Sequence, residues 1–317
     1  MSEKIKLGIS TCLLGEKVRY DGGHKWDRYL TNIVGPFVEW VPVCPEVECG
    51  LPTPREAMHL AGDPESPRLV TLRSNMDHTE RMHEWSKKRL VDLETQDLCG
   101  FIFKTRSPSS GMRDIKIYKE DGNPTSNKTA GLFAKAFMDR FPLIPVEDEG
   151  RLNDAGLREN FIERVFVFHR WKEYLKQDRS AKGLVDFHTR HKLMLMAHSE
   201  THMRKLGKRV ADIKHFNFEE LLDQYFRTLM QGLKVKATVK KNVNVLDHIL
   251  GYFKKQLTAD EKLEMRDIIS QYHNNLVPLI VPVTLLKHYI RKYEQPYLLD
   301  QVYLTPHPAE LALRNHV

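Results

Sequence analysis

The chain has 317 residues, 41% apolar content and a net charge of +7, enough for one large or two ordinary domains. No apolar run of about 18 residues occurs, which argues against a membrane-spanning helix. The start, Met1-Ser2-Glu3-Lys4, lacks the basic, apolar and small-residue zones of a signal peptide, so the cytoplasm is the expected location, and the four cysteines there argue against a disulfide framework.

In chain order, Ile5–Ile9 reads as a short strand and Phe37–Val43 as a second. Phe101–Phe103 anchors a third, and Leu143–Val146 reads as a fourth. Helical patterns run from Asp77 to Glu94 and from Leu132 to Phe141, while Gly50–Pro67, Ser107–Gly111 and Gly122–Pro124 read as loops. Strands alternating with helices predict an α/β domain over residues 1–150, with a mostly parallel, Rossmann-like sheet.

Glu147-Asp148-Glu149-Gly150 marks a break, after which the chain reads as an all-α bundle over residues 151–317. Phe161, Val165, Phe168, Trp171 and Leu175 form one apolar stripe, and Val239, Val243, Leu246, Leu250, Phe253 and Leu257 form another. Thr258 and Glu261 predict a capping box, and Leu285, Leu286, Tyr289, Ile290 and Tyr293 a further apolar face. Charge divides the same way. Residues 151–317 hold 28 Lys+Arg and 19 Asp+Glu, a net of +9, leaving 21 and 23, a net of −2, for residues 1–150. A basic half beside a near-neutral one suggests that one part holds an anion while the other does chemistry; a solvated basic surface is the plainer reading.

Three loops carry the chemistry. Ser10-Thr11-Cys12-Leu13-Leu14-Gly15, running on to Arg19-Tyr20-Asp21-Gly22, follows the first strand. Cys44-Pro45-Glu46-Val47-Glu48-Cys49-Gly50, running on to Arg55, follows the second, and Ser107-Pro108-Ser109-Ser110-Gly111 follows the third. Each sits past the carboxyl end of its strand, the edge where open α/β sheets bind ligands. Thiolates there favour iron–sulfur clusters, zinc or copper(I), and the Cys44-x4-Cys49 spacing does not separate a cluster from zinc decisively. Cys99 enters the third strand from its amino end, where core packing is expected. Arg19, Lys25, Arg55, Lys104 and Arg106 lie in or near the loops, with Arg19 and Arg55 the leading candidates to hold a nucleotide phosphate.

The motifs S-T-C-L-L-G…R-Y-D-G, V-C-P-E…G-L-P-T-P-R and S-P-S-S-G resemble the TudS thiouracil desulfidase family. The helical half resembles the YbgA-type domain fused to such enzymes in tRNA 4-thiouridine desulfidases. The resemblance implies a [4Fe–4S] cluster held by three cysteines, with one open iron that polarises a thiocarbonyl for hydrolysis to an oxo base and sulfide. Two ligands carry over onto Cys12 and Cys44. Ser110 stands where the family has its third cysteine, and Cys49 stands where many relatives have glycine. Cys49 is therefore the expected replacement, with Ser110 as an oxygen ligand the alternative. The family's acid/base glutamate matches Glu46 and its catalytic serine Ser107; Ser109 and Ser110 join Arg19 and Arg55 as expected substrate contacts.

In the helical half, Lys234, Lys236, Lys240 and Lys241, the cluster Arg204, Lys205, Lys208 and Arg209, and the intervening Tyr225 and Phe226 suit RNA, and tRNA is the expected partner of residues 151–317. His188, His191, His198 and His202 lack the carboxylate of a zinc-protease helix and are expected in the core or facing RNA. A desulfidase of free thiouracil or thionucleotides is the second reading. An RNA-binding protein with a structural cluster is the third. Oligomeric state is not legible.

Overall fold

The computed structural model describes residues 4–119 and 123–316; the N-terminal Met1–Glu3 and Gly122, which begins an expected loop, lie outside them. The chain divides into compact units at 1–154 and 155–317.

In the first unit the elements are β1 (Ile5–Ser10), β2 (Val38–Val43), α1 (Pro45–Glu48), β3 (Met58–Ala61), β4 (Arg68–Thr71), α2 (Thr79–Thr95), β5 (Gly100–Phe103), β6 (Ile115–Tyr118), β7 (Pro124–Thr129), α3 (Leu132–Arg140) and β8 (Val146–Asp148). One sheet has the order β2-β1-β5-β8, and every pairing in it is parallel. Its central strands β1 and β5 are buried almost throughout, as parallel strands covered on both faces must be. Phe101 and Phe103 of β5 pack against Phe133 and Phe137 of α3, and truncating any of these rings to alanine removes about 3–5 kcal/mol. Gly8 of β1 admits this packing, since a Cβ there would lie 2.1 Å from the Phe101 ring. The chain passes from β1 to β2 on one side and later returns to β5 on the other. This makes the β1/β5 boundary a topological switch point, where the loops leaving both strands open a crevice.

Two departures from the sequence reading matter. The last strand is Val146–Asp148 and not Leu143–Val146, and Pro145 contributes only its carbonyl, which accepts from Phe101 N at 2.9 Å. A second sheet, β4-β3-β6-β7, was not expected at all. β3 and β6 run parallel and the two outer pairs antiparallel, and β3 occupies residues that read as loop. One face of this sheet is apolar: Leu60, Leu69, Ile115 and Ile117 bury against Met82 of α2.

The second unit comprises α4 (Ala155–Gln177), α5 (Ala181–His198), α6 (Glu200–Ala211), α7 (Phe218–Lys234), α8 (Val239–Leu250), α9 (Ala259–His273), α10 (Ile280–Lys292) and the short α11 (Pro296–Leu299). The Phe161–Trp171 stripe lies on α4 and is buried. The second stripe runs down α8 and through a 3-10 turn to Phe253, and α9 opens on the Thr258–Glu261 capping box. His188, His191 and His198 are core residues bonded to Tyr225 Oη (3.1 Å), Phe187 O (2.7 Å) and Val235 O (2.8 Å). Burial lowers His188 to about 4 and His191 to about 3, so both are neutral at ordinary pH. Tyr225 is fully buried against Trp171 and cannot stack on a base, which corrects its expected place in an RNA surface. Lys241 is likewise committed, donating to His198 O (2.6 Å) and Lys236 O (3.3 Å).

Candidate active site

The three loops meet in the first unit. A cavity of 1230 Å³ is lined by Cys12, Cys44, Glu46, Arg19, Arg55, Ser107 and Ser110, among others. Cys12 sits in the single 3-10 turn that follows β1, and Cys44 at the end of β2, where it caps α1 and donates its N–H to Glu48 Oε1 at 2.8 Å. Pro45 occupies the first position of α1, where a missing N–H costs nothing, and the turn of helix lifts Glu46 over the cavity. Lys104 N donates to Ser10 Oγ at 2.9 Å and ties the carboxyl ends of β1 and β5 together.

Glu46 is the hub. Ser107 Oγ donates to its Oε1 at 3.4 Å, and Ser109 Oγ donates to the same oxygen. The Arg55 guanidinium lies 3.9 Å from Oε2 and the Cys44 Sγ 3.7 Å. Arg55 is itself pinned, donating to Val18 O (3.0 Å) and Pro52 O (3.3 Å), so it serves as the counter-charge of Glu46 more than as an exposed phosphate hook. Arg19 lines the cavity beside its partner Asp21, 3.4 Å away.

The Ser107–Gly111 loop is held by α3. Gly131 N donates to Gly111 O (2.7 Å), Leu132 N to Pro108 O (3.2 Å) and Ala134 N to Ser109 O (3.1 Å). A Cβ on Gly131 would come within 2.5 Å of the Ser109 carbonyl carbon, so only glycine permits the contact.

All four cysteines are unbridged. Burial, partly offset by Lys104, pushes the Cys12 thiol up to about 11; burial and the Glu46 charge push Cys44 up to about 12. Two expected site residues lie beside Glu46 but outside the lining. Ser109 is fully buried and absent from the lining; it bonds Glu46 and so positions the carboxylate without touching substrate. Cys49 is one helical turn past Glu46, donates to the Glu46 carbonyl at 3.2 Å and packs beside the Leu60–Met82 cluster, outside the lining. Among the described residues no group of three or more His, Cys, Asp or Glu side chains is arranged to hold a metal ion. Cys99 is buried at the amino end of β5. The sequence reading missed the lining residues His59, Tyr118, Lys116 and Lys128 because it missed the second sheet.

Residues 7–149 match the family model described as 2-thiouracil desulfurase, and residues 192–308 match a protein family of unknown function, DUF1722. The Escherichia coli (strain K12) protein YbgA is 31% identical over 165 residues, covering 52% of this chain and 98% of YbgA. A solved structure of the [4Fe–4S]-dependent thiouracil desulfidase TudS is 31% identical, covering 49% of this chain and 98% of that one at a TM-score of 0.38. With its loops converging on one cavity, the chain is a fusion in which residues 7–149 carry the 2-thiouracil desulfurase match, and through YbgA, which it covers almost end to end, it belongs to the YbgA family.

Proposed function

We propose that the protein hydrolyses the thiocarbonyl of 4-thiouridine in tRNA, giving uridine and sulfide, with a [4Fe–4S] cluster held by Cys12, Cys44 and Cys49 and one iron left open. The observation that carries this reading is the convergence of two buried thiols, Glu46 and Ser107 on one cavity. The donor set fits a cluster at two positions, since Cys12 and Cys44 are soft ligands facing open space. Cys49 completes it only by giving up its bond to the Glu46 carbonyl, and Ser110, already in the lining, is the competing donor.

When bound, such a cluster supplies a Lewis-acidic iron for the soft sulfur of the substrate. The chain's own residues handle the protons. Glu46 takes a proton from the attacking water and passes it to the departing sulfur, while Ser107, bonded to its Oε1, orients the water. Ser109 and Arg55 hold the carboxylate in place from behind. The reaction C=S + H₂O → C=O + H₂S balances without electron transfer. The net +9 of residues 151–317 supports RNA as the bearer of the base.

Anaerobic reconstitution and assay of sulfide release from 4-thiouridine tRNA test the reading. Brown protein with about four irons per chain is expected. Cys12→Ala, Cys44→Ala and Cys49→Ala should each abolish the cluster, and Cys99→Ala should keep it. A colourless zinc protein would overturn the cofactor. Turnover of 4-thiouridine monophosphate without turnover of tRNA would overturn the substrate.

A further inference from the structure

The cavity is larger than the thiolated base requires. At 1230 Å³ it exceeds the roughly 300–1,000 Å³ of a pocket for a drug-sized ligand. Its lining holds nine Lys and Arg side chains (Arg19, Lys25, Arg55, Lys104, Arg106, Arg113, Lys116, Lys128 and Arg151) against three carboxylates, Glu46, Asp114 and Asp148. Several of these cations are spent inside the fold: Lys104 pairs with Glu149, Arg151 with Glu147, and Arg55 with Glu46. Of those on the second sheet, Lys128 meets only the largely exposed Asp114, and Lys116 meets no carboxylate among the described residues.

Alternation along that sheet separates its two faces. Ile115 and Ile117 of β6 and Leu60 of β3 point into the apolar cluster. Lys116 and Tyr118, between and after them, take the other face, as does His59 beside Leu60. His59 and Tyr118 meet edge to face, their ring centroids 5.1 Å apart, and both line the cavity. His59 Nδ1 is buried with no hydrogen-bond partner among the described residues. On the neighbouring strand Lys128 stands directly opposite Lys116. Like charges directly opposed across an antiparallel pair are destabilising. The nearest relief is Asp114, 3.8 Å from Lys128 and largely exposed; Lys116 forms no ion pair among the described residues. Two lysines held side by side and aimed into a cavity, next to two rings, call for an anion with a flat apolar face attached.

We infer that this face of the second sheet is a subsite for the nucleotide adjoining the thiolated one: Lys116 and Lys128 hold its phosphate, and the His59–Tyr118 pair receives its base. The occupant of the deep end is taken from the function proposed above. Lysine for phosphate and ring for base is how single-stranded RNA is gripped without reading sequence. The α/β unit then contacts the polymer itself, in addition to any grip by the basic helical unit.

The test uses full-length reconstituted protein and two substrates, 4-thiouridine 5′-monophosphate and a trinucleotide with 4-thiouridine at its centre. The double variant Lys116→Glu, Lys128→Glu changes only exposed side chains. It should raise KM for the trinucleotide at least about fivefold while leaving the monophosphate within about twofold. Binding of an unthiolated uridine trinucleotide, followed by fluorescence anisotropy, should lose about 0.7 from its log–log salt slope for each phosphate contact removed. Tyr118→Leu should weaken the trinucleotide with the salt slope unchanged, a split that a merely structural role would not give. Equal losses on both substrates, or an unchanged slope in the lysine variant, overturn the subsite. Absence of sulfide from every thiolated substrate would overturn the proposed function instead, and the anisotropy arm would still decide the subsite.

Discussion

The floor of the α/β cavity and the interior of the helical unit both bury charged groups, and they dispose of them in opposite ways. In the helical unit Arg314 donates to Glu163 (2.9 Å), to Glu159 (3.1 Å) and to Tyr303 O (2.5 Å), and Glu163 accepts from His198 at 3.1 Å. Charge in this network is answered within the protein, and the groups face one another. Around Glu46 two hydroxyls and a guanidinium also gather, but the carboxylate and two thiols front an open cavity. A closed network holds elements together; an open one is arranged around something still to arrive. Substitutions should therefore cost turnover in the first region and stability in the second.

The largest effect should come from Glu46→Gln, which keeps shape and removes the proposed proton carrier. Sulfide release should fall about 10²- to 10⁴-fold with cluster content and urea midpoint near wild type. A large drop in midpoint would mean that Glu46 belongs with the structural networks after all. Arg314→Met reverses the pattern. It leaves Glu163 buried without its cation, and removing one partner of a buried pair costs about 3–5 kcal/mol, measurable by urea unfolding. If stability holds, the helical network is looser than its distances indicate.

A smaller effect concerns pH. Burial and the neighbouring Glu163 charge raise Glu159 to about 8, outweighing Arg314. Burial also opposes ionisation of Glu163, but the His198 hydrogen bond and Arg314 outweigh it and hold that carboxyl well below the usual range. The two act in opposite directions. Glu159 retains its proton when folded, so its contribution is full below about pH 4.5 and is lost as pH rises toward 8. Glu163 contributes above pH 4.5, and that contribution is lost as pH falls. Glu159→Gln should therefore flatten the decline in unfolding free energy between pH 5 and pH 8 while leaving the acid limb in place. An unchanged alkaline limb would assign the decline to another group.

Much of the site was legible because chain direction fixes it. In a parallel sheet every strand delivers its following loop to the same edge, so Cys12, Cys44, Glu46 and Ser107 could be brought together from strand positions alone. What chain direction does not fix is side-chain aim. Ser109 and Ser110 are adjacent, yet one is sealed behind Glu46 and the other lines the cavity. Cys49 follows Glu46 by three residues, and the single turn of α1 gives no stripe from which to read its direction. The second sheet was hidden for a related reason: β3, β4 and β6 are four residues each, too short for alternation to stand out from loop. In the helical unit the long stripes of α4 and α8 were plain, whereas Tyr225 was misread because sequence proximity to lysines says nothing about which side of α7 it occupies.

The way α3 holds the serine loop bears on how this family can diversify. Three amide groups at or near the start of that helix are already taken by the carbonyls of Pro108, Ser109 and Gly111. Phosphate-binding folds often use such amides as their anion cradle, which ties recognition to an unalterable main chain. Here those donors are occupied, which leaves the lysine and arginine side chains of the lining as the cations that an anion in the cavity would meet. Each can be exchanged by one codon change while the frame aligning Ser107 stays intact. Divergence in what the cavity holds can thus proceed at its rim, with Glu46, Ser107 and the loop behind them carried along unaltered.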